Sequence, residues 1–333
     1  MAKPGKEAEG LPGDAAPIWL TERGRESPAR LWSAMARTAV LIRTHFVDDA
    51  LLALAERLAA DGKFEVYALA DESRGALDFG TIPKLSLTAQ VIADLGVYAG
   101  APKLLWRCGD YGFYAARRGL PQYDAFWMIE ADVRLNTDRP SSILDRFPGS
   151  DEIDFLAGRL RLAEGDWDWG ATMDAAGGPV WRCLFAVTRL SARAIDHLHE
   201  ERRRASAAHL AERRDPALWP NDEAFVATTM ARSGFPMRDL NDFGQVYDEA
   251  GFSFWFPMSE RELEACGRDG FIYHPVLSGE AYFLKLCRLA VRHGALDALE
   301  GIVEGMIGLE WTAEEAVGHR RSVDYVRACQ AIG

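Results

Sequence analysis

Short, unbroken apolar runs separated by helix-like stretches constrain this chain more than any other feature. Ala39-Val40-Leu41-Ile42, Phe64-Glu65-Val66-Tyr67-Ala68-Leu69, the core of Tyr123-Asp124-Ala125-Phe126-Trp127-Met128-Ile129, and Cys183-Leu184-Phe185-Ala186-Val187 are each the length of a strand. Continuous apolar character, as opposed to alternation, marks a strand buried on both faces. Between the first two runs, Asp48 and Asp49 precede ALLALAERLAADG. The acidic pair suits a helix start and Gly62 its end. A strand, helix and strand of this length build parallel sheets. Further helices are expected over 88–96, 111–119, 141–147 and 221–233, and after Ser191, a candidate cap. Further strands are expected at 104–106, 154–157 and 271–273. The expected fold class is α/β, with a mostly parallel central sheet flanked by helices.

Residues 1–30, rich in Gly, Pro, Ala and charge, read as a flexible N-terminal tail. One domain is expected over 36–276, and 277–333 reads as a helical C-terminal extension. With 333 residues and 48% hydrophobic content, the chain can bury a substantial core. Its net charge of −12 argues against a nucleic-acid surface, which needs an excess of Lys and Arg. A small anionic ligand stays open, because a bound divalent cation reverses the sign of one pocket. The five cysteines lie far apart with no CxxC pair, which excludes a zinc ribbon and points to a reducing compartment. No apolar run approaches the roughly 18 to 20 residues of a membrane span, and the N-terminus lacks the apolar core of a secretory signal. A cytoplasmic protein is expected, with peripheral membrane contact left open.

Ligands of such sheets bind beyond the carboxyl ends of the strands. That rule directs attention to Thr44-His45, Asp71, Glu130-Ala131-Asp132 and His274. Glu130 and Asp132 stand two apart at the end of an apolar strand. If strand geometry persists, both face one pocket. Paired carboxylates need a counter-charge, and a hard cation such as Mg2+ or Mn2+ is the natural one. The same spacing also fits two turn carboxylates facing water.

The segment YDAFWMIEADVRLN resembles the central motif of the GT-A type nucleotide-diphospho-sugar glycosyltransferases, with Glu130-Ala131-Asp132 as the D-x-D-like element. Glu in the first place departs from the commonest form. Trp219-Pro220-Asn221-Asp222-Glu223-Ala224-Phe225 is similar to the late acidic motif at a helix start. Phe271-Ile272-Tyr273-His274-Pro275-Val276 is similar to the segment carrying the C-terminal His, and VWRCLFAVTRLS also looks familial. The resemblance spans about residues 38–276. It implies a Rossmann-like GT-A fold, with Mn2+ or Mg2+ on Glu130 and Asp132 and His274 assisting. It also implies that Glu223, with Asp222 beside it, is the base or acceptor-orienting group. Nucleotide contacts would come from Arg43, Thr44 and Asp71 at early strand ends, and from Arg107 and Asp110 in WRCGDYG. Trp169 and Trp181, with Trp167, would contact the acceptor. The partners implied are a nucleoside-diphosphate sugar donor and a hydroxyl acceptor, a glycan or another hydroxyl-bearing molecule.

Plainer readings stand beside these. Asp222 and Glu223 would complement a helix dipole behind an Asn221 cap, and His274 would be structural. Thr44 and Asp71 would be ordinary turn residues, and the tryptophans hydrophobic cover. The Arg202-Arg203-Arg204 run is expected on a solvated helix face. Two other functions share the fold. A sugar-phosphate nucleotidyltransferase would carry a Gly-rich loop after the first strand, where this chain has IRTHFVDD. A non-catalytic sugar-nucleotide-binding protein would bind without turnover.

Overall fold

The computed structural model describes residues 37–150, 152–165, 167–176, 178–254, 256–293, 318–321 and 324. The expected tail over 1–30 lies outside the described residues, as does most of the expected C-terminal extension. The order of elements is β1 (Thr38–Thr44), α1 (Asp49–Ala59), β2 (Glu65–Asp71), β3 (Lys84–Leu87), α2 (Ala89–Leu95), α3 (Leu104–Arg107), α4 (Asp110–Gly119) and β4 (Ala125–Glu130). There follow β5 (Arg134–Asn136), α5 (Pro140–Leu144), β6 (Phe155–Leu162), β7 (Trp181–Ser191), α6 (Ala192–Ala211), α7 (Asp222–Arg232) and β8 (Met237–Asp239). The last are β9 (Met258–Ser259), α8 (Glu260–Cys266), β10 (Phe271–Tyr273), β11 (Val276–Leu277) and α9 (Gly279–His293).

The central sheet has seven strands in the order β3-β2-β1-β4-β7-β6-β8. Every neighbouring pair is parallel except the two that involve β7, which runs against both β4 and β6. The continuous apolar runs are explained by layers on both faces. Val40 and Ile42 join Leu51, Leu54 and Leu58 of α1 on one face, while Ala39 and Leu41 join Tyr111, Phe113 and Tyr114 of α4 on the other. Helix α4 lies so close to the sheet that a Cβ at Gly112 would stand 2.4 Å from Leu69 Cδ2.

Helix starts follow the expected chemistry. Asp48 caps α1 by accepting from Leu51 N at 2.8 Å. Ser191 caps α6 and Asn221 caps α7. The strand expected at 104–106 is instead helix α3. Three apolar residues carry no period, so such a run fits either state. Lys103 at φ 50° starts a turn that Cys108 N closes on Leu104 O.

The arginine run also departs from expectation. Arg203 and Arg204 are exposed, but Arg202 is fully buried. Its Nε donates to Asp110 Oδ2 at 2.6 Å and its Nη2 to Oδ1 at 3.1 Å, and its Nη1 reaches Pro220 O at 3.0 Å. Tyr114 Oη donates to the same carboxylate at 2.7 Å. The buried stripe of α6 runs Ala194, Leu198, Arg202, Ser206 in steps of four, so Arg202 faces the core by helix geometry.

Removing one partner of a buried ion pair leaves an uncompensated charge, which costs about 3–5 kcal/mol. Asp110→Ala is therefore expected to lower unfolding stability in urea by that amount. The double variant Asp110→Leu/Arg202→Met should recover most of it. A single variant as stable as wild type would show that the pair contributes nothing.

Candidate active site

The strand order reverses at β1. The chain moves outward through β2 and β3, then returns to the other side of β1 with β4. Crevices at such reversals, beyond the carboxyl ends of the strands, are where α/β sheets bind ligands. Arg43 lies one residue before the end of β1 and Glu130 ends β4, and the two are register partners. The Arg43 guanidinium bonds Glu130 Oε1 through Nη2 and lies 3.4 Å from Asp222 Oδ2 through Nη1. Gly109 N donates to the same Asp222 oxygen at 2.8 Å. A Cβ on Gly109 would fall 1.6 Å from Arg43 Nη1 and 2.7 Å from Asp222 Oδ2, so a side chain here would displace the Arg43 guanidinium from its present position.

His274 arrives from far along the chain. Antiparallel pairing of β10 with β5 brings the 271–277 segment back beside the turn after β4, where Val276 N donates to Asp132 O at 2.8 Å. The His274 ring is buried, and its Nδ1 lies 2.8 Å from Ser253 O. A carbonyl only accepts, so Nδ1 carries the proton and Nε2 is turned to the carboxylates. Nε2 lies 3.3 Å from Glu130 Oε2 and 3.5 Å from Asp132 Oδ1. One ligand atom from each of Glu130, Asp132 and His274 lies within 4.8 Å of the others. The convergence does not come from a persisting pleat. The strand stops at Glu130, and a turn closed by Val133 N on Glu130 O aims Asp132.

Two carboxylate oxygens and one imidazole nitrogen fit a hard divalent cation such as Mg2+ or Mn2+. The electrostatics agree with that fit. Burial pushes Glu130 up, but the Arg43 charge and His274 outweigh it and hold it well below the usual carboxylate range. Burial pushes His274 down, but Asp132 and Glu130 outweigh it and raise it. The cluster thus draws positive charge to itself. Lys285 on α9 adds to it. Burial lowers this ammonium group, while Asp132 and Glu130 pull it back up. Nothing in the amphipathic stretch GEAYFLKLCRLAVRH singled this lysine out.

Asp222 and Glu223 open α7, behind the Asn221 cap. Asp222 is buried, and burial pushes it up to about 7 despite Arg43. Glu223 is half-buried, and burial and then the Asp222 charge push it up to about 8. Its carboxylate accepts only a long contact from Asn221 Nδ2, at 3.4 Å, among the described residues. A carboxyl group in this range can exchange a proton near neutrality.

The other expected residues are distributed around this centre. Thr44 and Asp71 end β1 and β2, beside Arg43, and each makes a local turn contact: Thr44 Oγ1 with Phe46, and Asp71 Oδ1 with Ser73 N at 3.0 Å. Arg107 donates to Ala217 O at 2.6 Å and stacks over Trp169 at 4.7 Å. Trp181 begins β7 and is pinned by Thr228, with Trp181 N donating to Thr228 Oγ1 at 3.0 Å. Asp110, expected to contact nucleotide, points into the core, with Arg202 on both carboxylate oxygens. No helix among the described residues is long and apolar enough to cross a membrane.

No family model matches this chain, and no curated protein matches it. Among solved structures, the chain is similar to a glycosyltransferase involved in the glycosylation of the major capsid of PBCV-1. That match has 10% identity and a TM-score of 0.33, covering 72% of this chain and 91% of that one. At that level the likeness carries no argument about chemistry, which has to come from the site itself.

The raised carboxyl groups imply a pH dependence of stability. The folded protein keeps protons on Asp222 up to about 7 and on Glu223 up to about 8, whereas the unfolded chain releases them at the ordinary values of 3.8 and 4.5. The folded state then binds more protons than the unfolded one, so stability falls as pH rises through this window. The midpoint of thermal unfolding is expected to drop between about pH 5 and about pH 8, and Glu223→Gln should flatten the drop. Equal slopes in variant and wild type would show that Glu223 is not held protonated.

Proposed function

We propose that this chain is a divalent-cation-dependent glycosyltransferase, moving a sugar from a nucleoside-diphosphate sugar to a hydroxyl group of a glycan acceptor. The observation that supports this most is the convergence of Glu130, Asp132 and His274 at the sheet's reversal point, with Asp222 joined to it through Arg43 and Glu223 next to Asp222 at the start of α7. A nearby pair of strand ends, carrying Thr44 and Asp71, would accommodate the nucleotide.

A Mn2+ or Mg2+ ion held by Glu130, Asp132 and His274 would stabilise the negative charge that develops on the departing diphosphate. The chain's own residues do the rest. Ser253 O fixes the tautomer of His274, and Arg43 fixes the rotamer of Glu130. Arg43 also sets the distance between the acidic strand end and the start of α7. Glu223, once ionised, takes the proton of the acceptor hydroxyl as its oxygen bonds to the sugar carbon. The bond from that carbon to the diphosphate oxygen breaks, and the nucleoside diphosphate leaves. Asp222 is engaged by Gly109 N and Arg43, so it is the positioning member of the pair.

The reading is tested by nucleotide release from a panel of UDP- and GDP-sugars with Mn2+. Wild type is expected to release nucleotide from at least one donor. Glu223→Gln should lower the rate by about 100-fold or more, the usual size of a lost general base, while still binding the nucleotide. A folded wild type that turns over no sugar nucleotide, or a Glu223→Gln variant as fast as wild type, would contradict the assignment.

A further inference from the structure

Strand β6 is irregular where it passes the site. Its register with β7 slips between Ala157 and Gly158 and again before Arg161. Arg159 sits within this irregularity at φ 55°, a left-handed conformation that is strained for a non-glycine residue. Bulges re-aim side chains, and strain of this kind persists where surrounding contacts hold it. Here Arg159 N donates to Tyr247 Oη at 2.7 Å, and the guanidinium reaches Phe252 O at 3.3 Å and Glu249 at 3.1 Å.

The consequence is a cluster of like charges. Arg161 stands directly across the β6–β7 ladder from Arg182. Like charges opposite one another destabilise a sheet. Glu249 is the one carboxylate among the described residues that pairs with Arg159 and Arg161, at 3.1 and 2.9 Å, and it is itself 65% exposed. Arg182 has no hydrogen bond or ion pair among the described residues, and its guanidinium lies over the Trp167 ring at 5.0 Å. In a chain of net charge −12, this is a local surplus of positive charge beside the proposed base. Burial, then the Arg161 charge, lowers Arg182, while the Glu223 charge pulls it up. The neighbour of Arg182 on β7, Cys183, reaches Glu223 O through its Sγ at 3.6 Å, so the strand carrying Arg182 packs against the start of α7 that carries Glu223.

We infer that Arg182, supported by Arg161 and Arg159, receives an anionic group, a carboxylate or a phosphate, carried by the acceptor sugar whose hydroxyl faces Glu223. Guanidinium forks match both oxyanions in geometry and charge. The β6 and β7 ends carry these arginines to the same edge of the sheet as Glu130, because β6 runs parallel to β4 through the shared neighbour β7. The Trp167 ring holds the Arg182 fork in place from one side. The acceptor role rests on the glycosyltransferase reading, but the anion site rests on the arginines alone.

The test is binding of glucuronate, glucose 6-phosphate and glucose to the full chain by calorimetry, with and without UDP and Mn2+. At least one of the two acids should bind at least about tenfold more tightly than glucose, and which one binds identifies carboxylate or phosphate. Arg182→Gln should lose that preference. Glu249→Gln, which frees Arg159 and Arg161, should strengthen it, an effect that damage to the fold would not produce. Binding of neither acid, glucose bound as tightly as both, or a preference unchanged in Arg182→Gln would overturn the inference. Wild-type binding of UDP and GDP with Mn2+, measured in parallel, separates the two readings. Nucleotide binding without acid binding removes only the anion site, and acid binding without nucleotide binding removes only the transferase.

Discussion

The site depends on one guanidinium. Arg43 stands one residue before the end of β1 and touches Glu130 from β4 and Asp222 from α7. Those carboxylates, with Asp132 beside them, would repel one another across a partly dry crevice. Like charges a few ångströms apart at reduced dielectric interact by several kcal/mol. Arg43 converts that repulsion into a brace between the sheet edge and a helix start. Its position is fixed from below by strand register and from the side by Gly109, whose missing side chain leaves room for the guanidinium. Lysine could not substitute, since one ammonium does not present two separated donors in a plane.

Much of this arrangement is legible in the sequence because it follows from local periodicity. The runs at 39–42, 125–129 and 183–187 all lie in strands of the central sheet, as does the run at 64–69 apart from Phe64, and the capping residues Asp48, Ser191 and Asn221 all cap. The strand-end rule directs attention to Glu130, Asp132 and His274, which the fold brings within reach of one another, whereas Arg43 is expected only from the family resemblance, as a nucleotide contact. Short elements were harder. Edge strands such as β3 and β8 hold three or four residues, and their neighbours' register defines them more than their own pattern does. Residues 104–106 show the same limit from the other side, an apolar triplet that a left-handed Lys103 turns into a helix.

What sequence spacing could not supply is the partner of each charge. Arg202 looked like one of three solvated arginines until its helix phase put it opposite Asp110, 92 residues away. The expected pleat from Glu130 to Asp132 gave the right convergence for the wrong reason, because a turn aims Asp132 and a backbone bond from Val276 holds that turn. Likewise Arg182 and Lys285 acquire meaning only from contacts across the fold. Local rules predict elements, and long-range pairing decides which charges are structural and which are left facing the crevice.

The most direct test of the account is calorimetric titration of UDP and GDP, with and without Mn2+, into wild type and the Glu130→Ala/Asp132→Ala double variant. The account predicts binding of at least one nucleotide that requires Mn2+ and disappears in a folded double variant. Nucleotide binding that is independent of metal and unchanged in the double variant would contradict it, as would a folded wild type that binds neither nucleotide.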